Sequence, residues 1–180
     1  MVNHEINLAD FQTKGAIKST LTQNGLCLSL NNPLRTDFHR FVDVINAYAF
    51  LPQKFHLPAK INFTVNTNGD KFHLLFGNGR FSFNHDYDGN RSHNDIVAPS
   101  LETKTRINSL LAKNKDVAIE VIYDYKFMQI NIDGEERYFS TSERYMKSKL
   151  TKEKNAEGFG IRFVIEQSEK VLLKDCIVTI

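Results

Sequence analysis

Oxygen-bearing side chains recur at every second position in one short stretch of the sequence. Asp86, Asp88, Asn90 and Ser92 alternate with other residues, as ligands do at the start of a calcium-binding loop. An EF-hand loop also needs a bidentate Glu at its last position, where this sequence has Val97. We therefore predict a looser calcium site at Asp86, Asp88 and Asn90. The alternative is a surface loop whose Asp and Asn side chains bond their own backbone.

Polar side chains around a predicted tight turn indicate a site for a small ligand. Asn78, Arg80 and Asn84 supply amide and guanidinium groups, and Tyr87 supplies an aromatic ring. Sugar sites combine such hydrogen-bonding groups with an aromatic platform, although this chain has no Trp to provide a large one. We expect any ligand site to lie within residues 78–95.

The acidic residues do not form a pair at catalytic spacing. A retaining glycosidase needs two carboxyl groups about 5–5.5 Å apart, which on one strand means acidic residues at alternate positions. Glu120 and Asp124 would lie about 13 Å apart on an extended strand. Glu135 and Glu136 are adjacent and point to opposite faces of a strand. The sequence therefore predicts no catalysis by these carboxylates and no enzyme.

Other reactive side chains are also sparse. The six histidines never occur at the short spacings of a zinc site, and Cys27 and Cys176 are too few for a zinc motif or a disulfide framework. No cofactor other than calcium is expected. The basic cluster within residues 147–154 is interrupted by Glu153 and lacks interleaved aromatic residues, so a solvated surface is its better interpretation.

Charge and hydropathy favour a soluble globular protein. The 23 basic and 21 acidic residues are well mixed and leave a formal net charge of +2, which gives no broad field for nucleic acid or an anionic membrane. No stretch approaches the roughly 20 apolar residues of a membrane span, and no basic segment followed by an apolar run opens the chain. We expect one cytoplasmic domain over residues 1–180.

Alternation of apolar and polar residues predicts at least eight strands. The clearest is 60–66. A hairpin is expected from residue 72 to 83, and a three-stranded meander from Val117 to Phe139 that turns at Asp133-Gly134, where both positions tolerate positive φ. Further strands are expected at 26–30, 161–165 and 176–180. The expected core residues are Ile61, Phe63, Val65, Leu74, Phe76, Val121, Ile130, Ile132, Phe163 and Val178.

Three segments depart from this alternation. Helical spacing predicts a short helix from Phe38 through Ile45 to Tyr48 or Ala49, and residues 142–150 predict a second one. The stretch from Asn84 to Pro99 is rich in Asn, Asp, Gly and Ser, which is typical of a surface loop.

Two long segments together resemble a known sandwich family. These are FHLPAKINFTVNTNGDKFHLLFGNGRFSFN and VAIEVIYDYKFMQINIDGEERYFSTSERY. They resemble the concanavalin A-like (laminin G-like) domain, and in particular small bacterial versions found beside helix-turn-helix regulator domains. The resemblance implies an all-β, two-sheet antiparallel sandwich of jelly-roll type with one or two short helices. It also implies that the strand at Leu26 to Leu30 lies beside the strand at Cys176 to Ile180.

The resemblance also implies a function. Sugar binding is usual for such sandwiches, and the ExDxxE pattern of hydrolases with this fold is absent here. We therefore expect a non-enzymatic, lectin-like recognition module that binds carbohydrate or acts as a regulatory sensor domain. Its expected partner is a carbohydrate or a protein, not nucleic acid or a membrane. The competing hypothesis is a glycan-acting hydrolase of the same fold.

Overall fold

A computed structural model describes most of the chain. It covers residues 2–30, 48–68, 72–76, 79–86, 92–97, 105–107, 111–141, 157–165 and 170–180. Between residues 79 and 107 it describes the backbone of three strands and the side chain of Phe83. The described residues form fifteen strands, numbered in chain order, and a short 3₁₀ helix at Leu8–Asp10.

Eight antiparallel strands form one sheet, called sheet A. Their order is β13-β12-β11-β6-β15-β4-β3, and β1 also pairs with β15. The strands of sheet A are β1 (Asn3–Glu5), β3 (Ile17–Thr22), β4 (Gly25–Leu30), β6 (Ala59–Thr67), β11 (Asp116–Tyr123), β12 (Met128–Ile132), β13 (Glu135–Ser140) and β15 (Val171–Thr179).

Seven further antiparallel strands form sheet B, in the order β10-β9-β8-β7-β14-β5-β2. They are β2 (Gln12–Lys14), β5 (Tyr48–Phe55), β7 (Phe72–Phe76), β8 (Gly79–Asp86), β9 (Ser92–Val97), β10 (Thr105–Ile107) and β14 (Phe159–Ile165). The two-sheet antiparallel sandwich expected from the sequence is confirmed.

The core lies between the two sheets. In β6 every second residue from Ala59 to Thr67 is buried, because successive side chains of a strand point to opposite faces. Phe63 of sheet A contacts Phe163 and Phe83 of sheet B, with ring centroids 5.3 and 6.2 Å apart in edge-to-face geometry. All ten residues predicted for the core are between 0% and 4% exposed, which confirms that prediction.

The predicted meander in sheet A is confirmed by the pairing of β11 with β12 and of β12 with β13. Its second turn uses Asp133 at φ 51° and Gly134 at φ 80°, the two positive values that a tight hairpin turn requires. The Asp133 carboxylate also accepts a hydrogen bond of 2.9 Å from the backbone N–H of Ala118. The turn is thus anchored to the start of β11.

Strand β15 is inserted in the middle of sheet A. One of its edges pairs with β6 along nearly its whole length. On its other edge, Val171 to Leu173 pair with β4 and Ile177 to Thr179 pair with β1. The strand at Leu26 to Leu30 therefore does lie beside the last strand, but it pairs with Val171 to Leu173 and not with the predicted segment from Cys176, which lies beside β1 on this edge. Only glycine fits at position 25, because the Cβ of any other residue would clash with the carbonyl oxygen of Leu173 at 2.3 Å.

Two predictions about local structure need correction. Tyr48 and Ala49 begin strand β5, so the predicted helix does not extend to them, and residues 38–45 and 142–150 lie outside the described residues. The described part of the chain contains no helix of seven or more residues. The predicted loop from Asn84 to Pro99 is wrong over much of its length, because β8 continues to Asp86 and Ser92–Val97 forms β9. Pairing with β8 and β10 holds β9 extended despite its polar composition.

Candidate functional site

The residues predicted to bind a ligand or a metal lie in the sequence from Asn78 to Asn90, on strand β8 or next to its ends. Arg80, Asn84 and Asp86 belong to β8, and their side chains lie outside the described part of the structure. The other predicted residues also lie outside the described ranges; they are Asn78, Tyr87, Asp88 and Asn90. The predicted calcium and ligand sites therefore stay predictions.

Backbone register adds one fact about the predicted calcium loop. Asp86 at the end of β8 pairs directly with Ser92 at the start of β9. The two positions predicted to open and close the run of oxygen ligands are thus neighbours across a strand pair. The flanking elements are strands, unlike the helices of an EF-hand. Among the described side chains, no group of three or more His, Cys, Asp or Glu residues could hold a metal ion.

The outer face of sheet B, which points away from the core, is closed at its centre. His73 and Val164 alternate with core residues on β7 and β14, so both point outward, yet they are only 2% and 3% exposed. Toward the β2 edge, Tyr48 packs against Phe50 with ring centroids 5.7 Å apart. The Arg162 guanidinium lies 5.5 Å from the Tyr48 ring centroid, a cation–π contact that supports packing of this edge.

The outer face of sheet A carries a row of polar side chains instead. Asn62 of β6, Glu120 of β11 and Asn131 of β12 are direct partners in strand register, so they cross three neighbouring strands side by side. Each is the half-buried outward residue between two core residues of its strand. We call these three residues the polar row. A shallow cleft of about 250 Å³ lies over it and is also lined by Thr64 and Asp175.

Hydrogen bonds and an ion pair hold Glu120 and Asn131 of the polar row in one arrangement. The Asn131 side-chain N–H donates to Glu120 Oε1 at 2.6 Å, and Asn131 Oδ1 accepts from Gln129 Nε2 at 2.9 Å. Glu120 Oε2 forms an ion pair with Lys60 Nζ at 3.1 Å. Because each contact fixes the next group, this network presents an ordered set of donors and acceptors to solvent.

Charged groups outside the polar row have structural roles. Asp116 accepts hydrogen bonds from the Asn66 amide, at 2.9 Å, and from Lys174, and these contacts lower the pKa of its carboxyl group.

Burial, reinforced by the Asp175 carboxylate, raises the pKa of the Cys176 thiol to about 12. Cys176 is therefore a protonated core residue at neutral pH, and Cys27 is a second free thiol that is half-buried.

A larger groove of about 620 Å³ lies where the N-terminal segment passes the turn between β3 and β4. Two of its polar side chains form local hydrogen bonds. Asn7 Oδ1 accepts from the N–H of Ala9 and caps the 3₁₀ helix, and the Thr22 hydroxyl donates to the carbonyl of Gly25. These groups stabilise the chain turns that form the groove, so the polar row is the better candidate site.

Two of the acidic side chains predicted to lack catalytic geometry, Asp124 and Glu135, bond to neighbours in their own turn or strand. Asp124 accepts a hydrogen bond from the N–H of Lys126 within the turn between β11 and β12. Glu135 pairs with Arg137 on the exposed edge strand β13. Glu136 is the register partner of Asn131, two strands from Glu120. Two strand spacings correspond to about 10 Å.

Sequence reasoning did not select the polar row, although one signal for it was present. Asn62 and Asn131 occupy the polar positions in the alternating runs that predicted β6 and β12. Their convergence depends on the pairing of β6 with β11, which lies far along the chain. The alternation of residues within one strand does not indicate which distant strand pairs with it.

No protein-family model and no curated protein matches this chain. Solved structures do match. A protein of unknown function with a galectin-like fold from Bacillus subtilis is 12% identical with a TM-score of 0.64, over 95% of this chain and 89% of that one. The carbohydrate-binding module CBM66 from Bacillus subtilis is 7% identical with a TM-score of 0.57, over 94% and 96%. The transglycosylase Crh5 is 7% identical with a TM-score of 0.64, over 98% and 83%.

These likenesses, together with the two antiparallel sheets, define a β-sandwich of the concanavalin A-like fold. At such low identity they establish the fold and not the activity. The described residues include no helix that is long and apolar enough to cross a membrane.

Proposed function

We propose that this protein is a non-enzymatic carbohydrate-recognition module that binds a saccharide at the polar row of sheet A. The observation that carries this proposal is the register that places Asn62, Glu120 and Asn131 side by side on an outward face, with Asn131 hydrogen-bonded to Glu120. Sugar hydroxyls both donate and accept, so they suit a surface that mixes amide and carboxylate groups. The carbohydrate-binding module among the similar structures supports the same function.

The network leaves hydrogen-bonding groups for a ligand. Within the described part of the chain, the Asn62 side chain makes no hydrogen bond, and only the N–H side of the Gln129 amide is used, toward Asn131. Because the side chains of Glu120, Gln129 and Asn131 are already held by hydrogen bonds to one another, the surface loses little conformational entropy when a ligand binds. A rigid, partly unsatisfied polar surface is what a recognition module needs.

Two features favour binding over hydrolysis at this site. Both carboxylate oxygens of Glu120 are engaged, one by Lys60 and one by Asn131. The acidic residue that register brings nearest along the polar row is Glu136, whose backbone lies two strand spacings, about 10 Å, from that of Glu120. The residues directly beside Glu120 on the neighbouring strands are Asn62 and Asn131, so register places no second carboxylate next to it, as a retaining glycosidase with carboxyl groups about 5–5.5 Å apart requires. The alternative function is a glycan-acting hydrolase, which the similarity to a transglycosylase motivates.

The test combines a binding screen with an assay for turnover. The intact chain is screened against a panel of neutral oligosaccharides, and each is then incubated with the protein and analysed for cleavage. Asn62→Ala and Glu120→Gln should each weaken saccharide binding by about tenfold, the loss expected for one well-formed hydrogen bond or more. Asn66→Ala is the matched control, since Asn66 has similar exposure on the same face of β6.

The proposal predicts binding without cleavage, and a control variant that binds as the wild type does. Failure to bind any saccharide at millimolar concentration would overturn it. Cleavage that Glu120→Gln abolishes would establish the hydrolase alternative instead. Equal losses in Asn62→Ala and Asn66→Ala would place the site elsewhere.

A further inference from the structure

Two aromatic rings stack on the outer face of sheet A beside the polar row. Phe127 and Phe139 have ring centroids 5.7 Å apart and an interplanar angle of 28°. Phe139 is the register partner of Gln129, which hydrogen-bonds to Asn131 of the polar row. Phe139 is 50% exposed, one of a few large apolar side chains with so much exposure in the described part of the chain. We call Phe127 and Phe139 the aromatic pair.

A second transverse row connects the aromatic pair with the rest of this face. Lys60, Ile122, Gln129 and Phe139 are successive register partners on β6, β11, β12 and β13. Three strand spacings of about 4.8 Å give this row a length of about 14 Å. It runs directly beside the polar row. The two rows together form a strip that is longer than a single sugar ring and ends on an exposed aromatic face.

Within the two rows one cation pairs with one anion, and Glu136, the register partner of Asn131 on β13, adds an exposed carboxylate at that end. Lys60 Nζ and Glu120 Oε2 form an ion pair at 3.1 Å, with side chains 39% and 28% exposed. Asn62, Gln129 and Asn131 are uncharged. The cation of the strip is therefore already paired, and a carboxylate or sulfate group on a ligand would have to compete with Glu120 for it.

We infer that the ligand is a neutral oligosaccharide that lies across the strands from β6 to β13. This inference rests on the proposed function. One sugar unit hydrogen-bonds to the polar row, and a following unit stacks its apolar face on Phe139. Aromatic rings provide a large apolar contact surface with a defined plane, which suits the flat face of a sugar ring. Phe139 therefore determines how long a saccharide the protein binds.

The test measures affinity against chain length by calorimetry. The probes are glucose, cellotetraose, maltotetraose and laminaritetraose, with tetragalacturonate as an anionic counterpart. At least one neutral tetrasaccharide should bind about five- to tenfold more tightly than glucose, the gain expected from one aromatic contact. Tetragalacturonate should bind more weakly than that tetrasaccharide.

Variants then assign the gain to the aromatic pair. Phe139→Ala should remove the advantage of the tetrasaccharide and leave the affinity for glucose unchanged, and Phe139→Tyr should retain the advantage. Leu21→Ala is the matched control, because Leu21 is an apolar side chain with 55% exposure on edge strand β3. The chain-length dependence of the wild type tests the inference even if a variant folds poorly.

The two proposals fail in different ways. If no saccharide in the panel binds, the proposed function is wrong and this inference falls with it. If saccharides bind but glucose equals the tetrasaccharides, only the inference is wrong. It is also overturned if tetragalacturonate binds most tightly, or if Phe139→Ala behaves like Leu21→Ala.

Discussion

Truncation of Phe63 tests whether the two sheets are held together by the aromatic contacts between them. Phe63 is 1% exposed and contacts Phe163 and Phe83 on the opposite sheet. Replacing it with Ala removes the ring from the centre of the sandwich. The surrounding strands are hydrogen-bonded on both sides, so they can close the resulting space only in part.

The expected loss follows from the burial and the ring contacts. Removing a fully buried Phe side chain costs about 3–5 kcal/mol, and two edge-to-face partners place Phe63 in the upper half of that range. With a urea m value of about 2 kcal/mol/M for a domain of this size, the unfolding midpoint of Phe63→Ala should fall by about 2 M.

Urea unfolding followed by circular dichroism measures this change. Leu21→Ala provides the comparison, because a side chain that is 55% exposed should change stability by less than about 0.5 kcal/mol. If the midpoints of Phe63→Ala and Leu21→Ala lie within about 0.3 M of each other, Phe63 does not join the sheets and the core assignment is wrong.

Three further predictions concern a turn, a charge and the predicted metal site. Gly134→Ala should destabilise the protein by about 1 kcal/mol and lower the Tm by about 2–4 °C. The reason is the backbone φ of 80°, since a Cβ at this position would meet no atom within 4 Å. An unchanged Tm in calorimetry would contradict this. Asp116 has a folded-state pKa below its ordinary value of 3.8, so it stabilises the fold above that value and loses this contribution as the pH falls through the folded-state pKa. Asp116→Asn should therefore flatten the decline in stability below about pH 5, and an unchanged slope would refute the assignment. If Asp86 and Asp88 bind calcium, calcium should raise the Tm relative to chelator, and replacing both with Ala should abolish the shift. No shift in the wild type would leave this loop without a metal role.

The strands were predictable because burial on one face of a sheet imposes a two-residue period on the sequence. Ile61, Phe63 and Val65 on β6 show this period, and each is buried as predicted. The turn at Asp133 and Gly134 was predictable for a different reason. Few residues adopt positive φ at two consecutive positions, so the residue types alone define that turn.

Local patterns failed where pairing between distant strands decides the structure. Tyr48 and Ala49 fit a helical period with earlier apolar residues, but they also alternate with Phe50 and Leu51, and pairing with β2 and β14 selects the strand. The first four residues of β9, Ser92 to Asp95, are polar and typical of a loop, yet β9 is hydrogen-bonded to strands on both sides. In both segments the strand conformation depends on pairing with other strands, so the sequence of the segment alone does not predict it.

The candidate site was unpredictable for the same reason. Glu120 was considered with Asp124 as a carboxylate pair along one strand, whereas its actual neighbours are across strands, at Asn62 and Asn131. A one-residue change in the β6–β11 register would turn one of these side chains into the core. The site is thus a property of register, which sequence alternation alone does not supply.

The position of β15 has a consequence for how the chain folds. Strand β15 separates β6 from β4 and β1, so without β15 the other strands of sheet A form three unconnected parts, namely β13-β12-β11-β6, β4-β3 and β1. Before β15 has joined them, the edges of β6 and β4 that pair with β15 in the folded protein are exposed, and their backbone groups can hydrogen-bond to other chains. Because β15 follows all the strands it joins, closure of sheet A depends on contacts of high sequence separation and should be a slow, late step of folding. During synthesis, β15 must be made before the sandwich core can close.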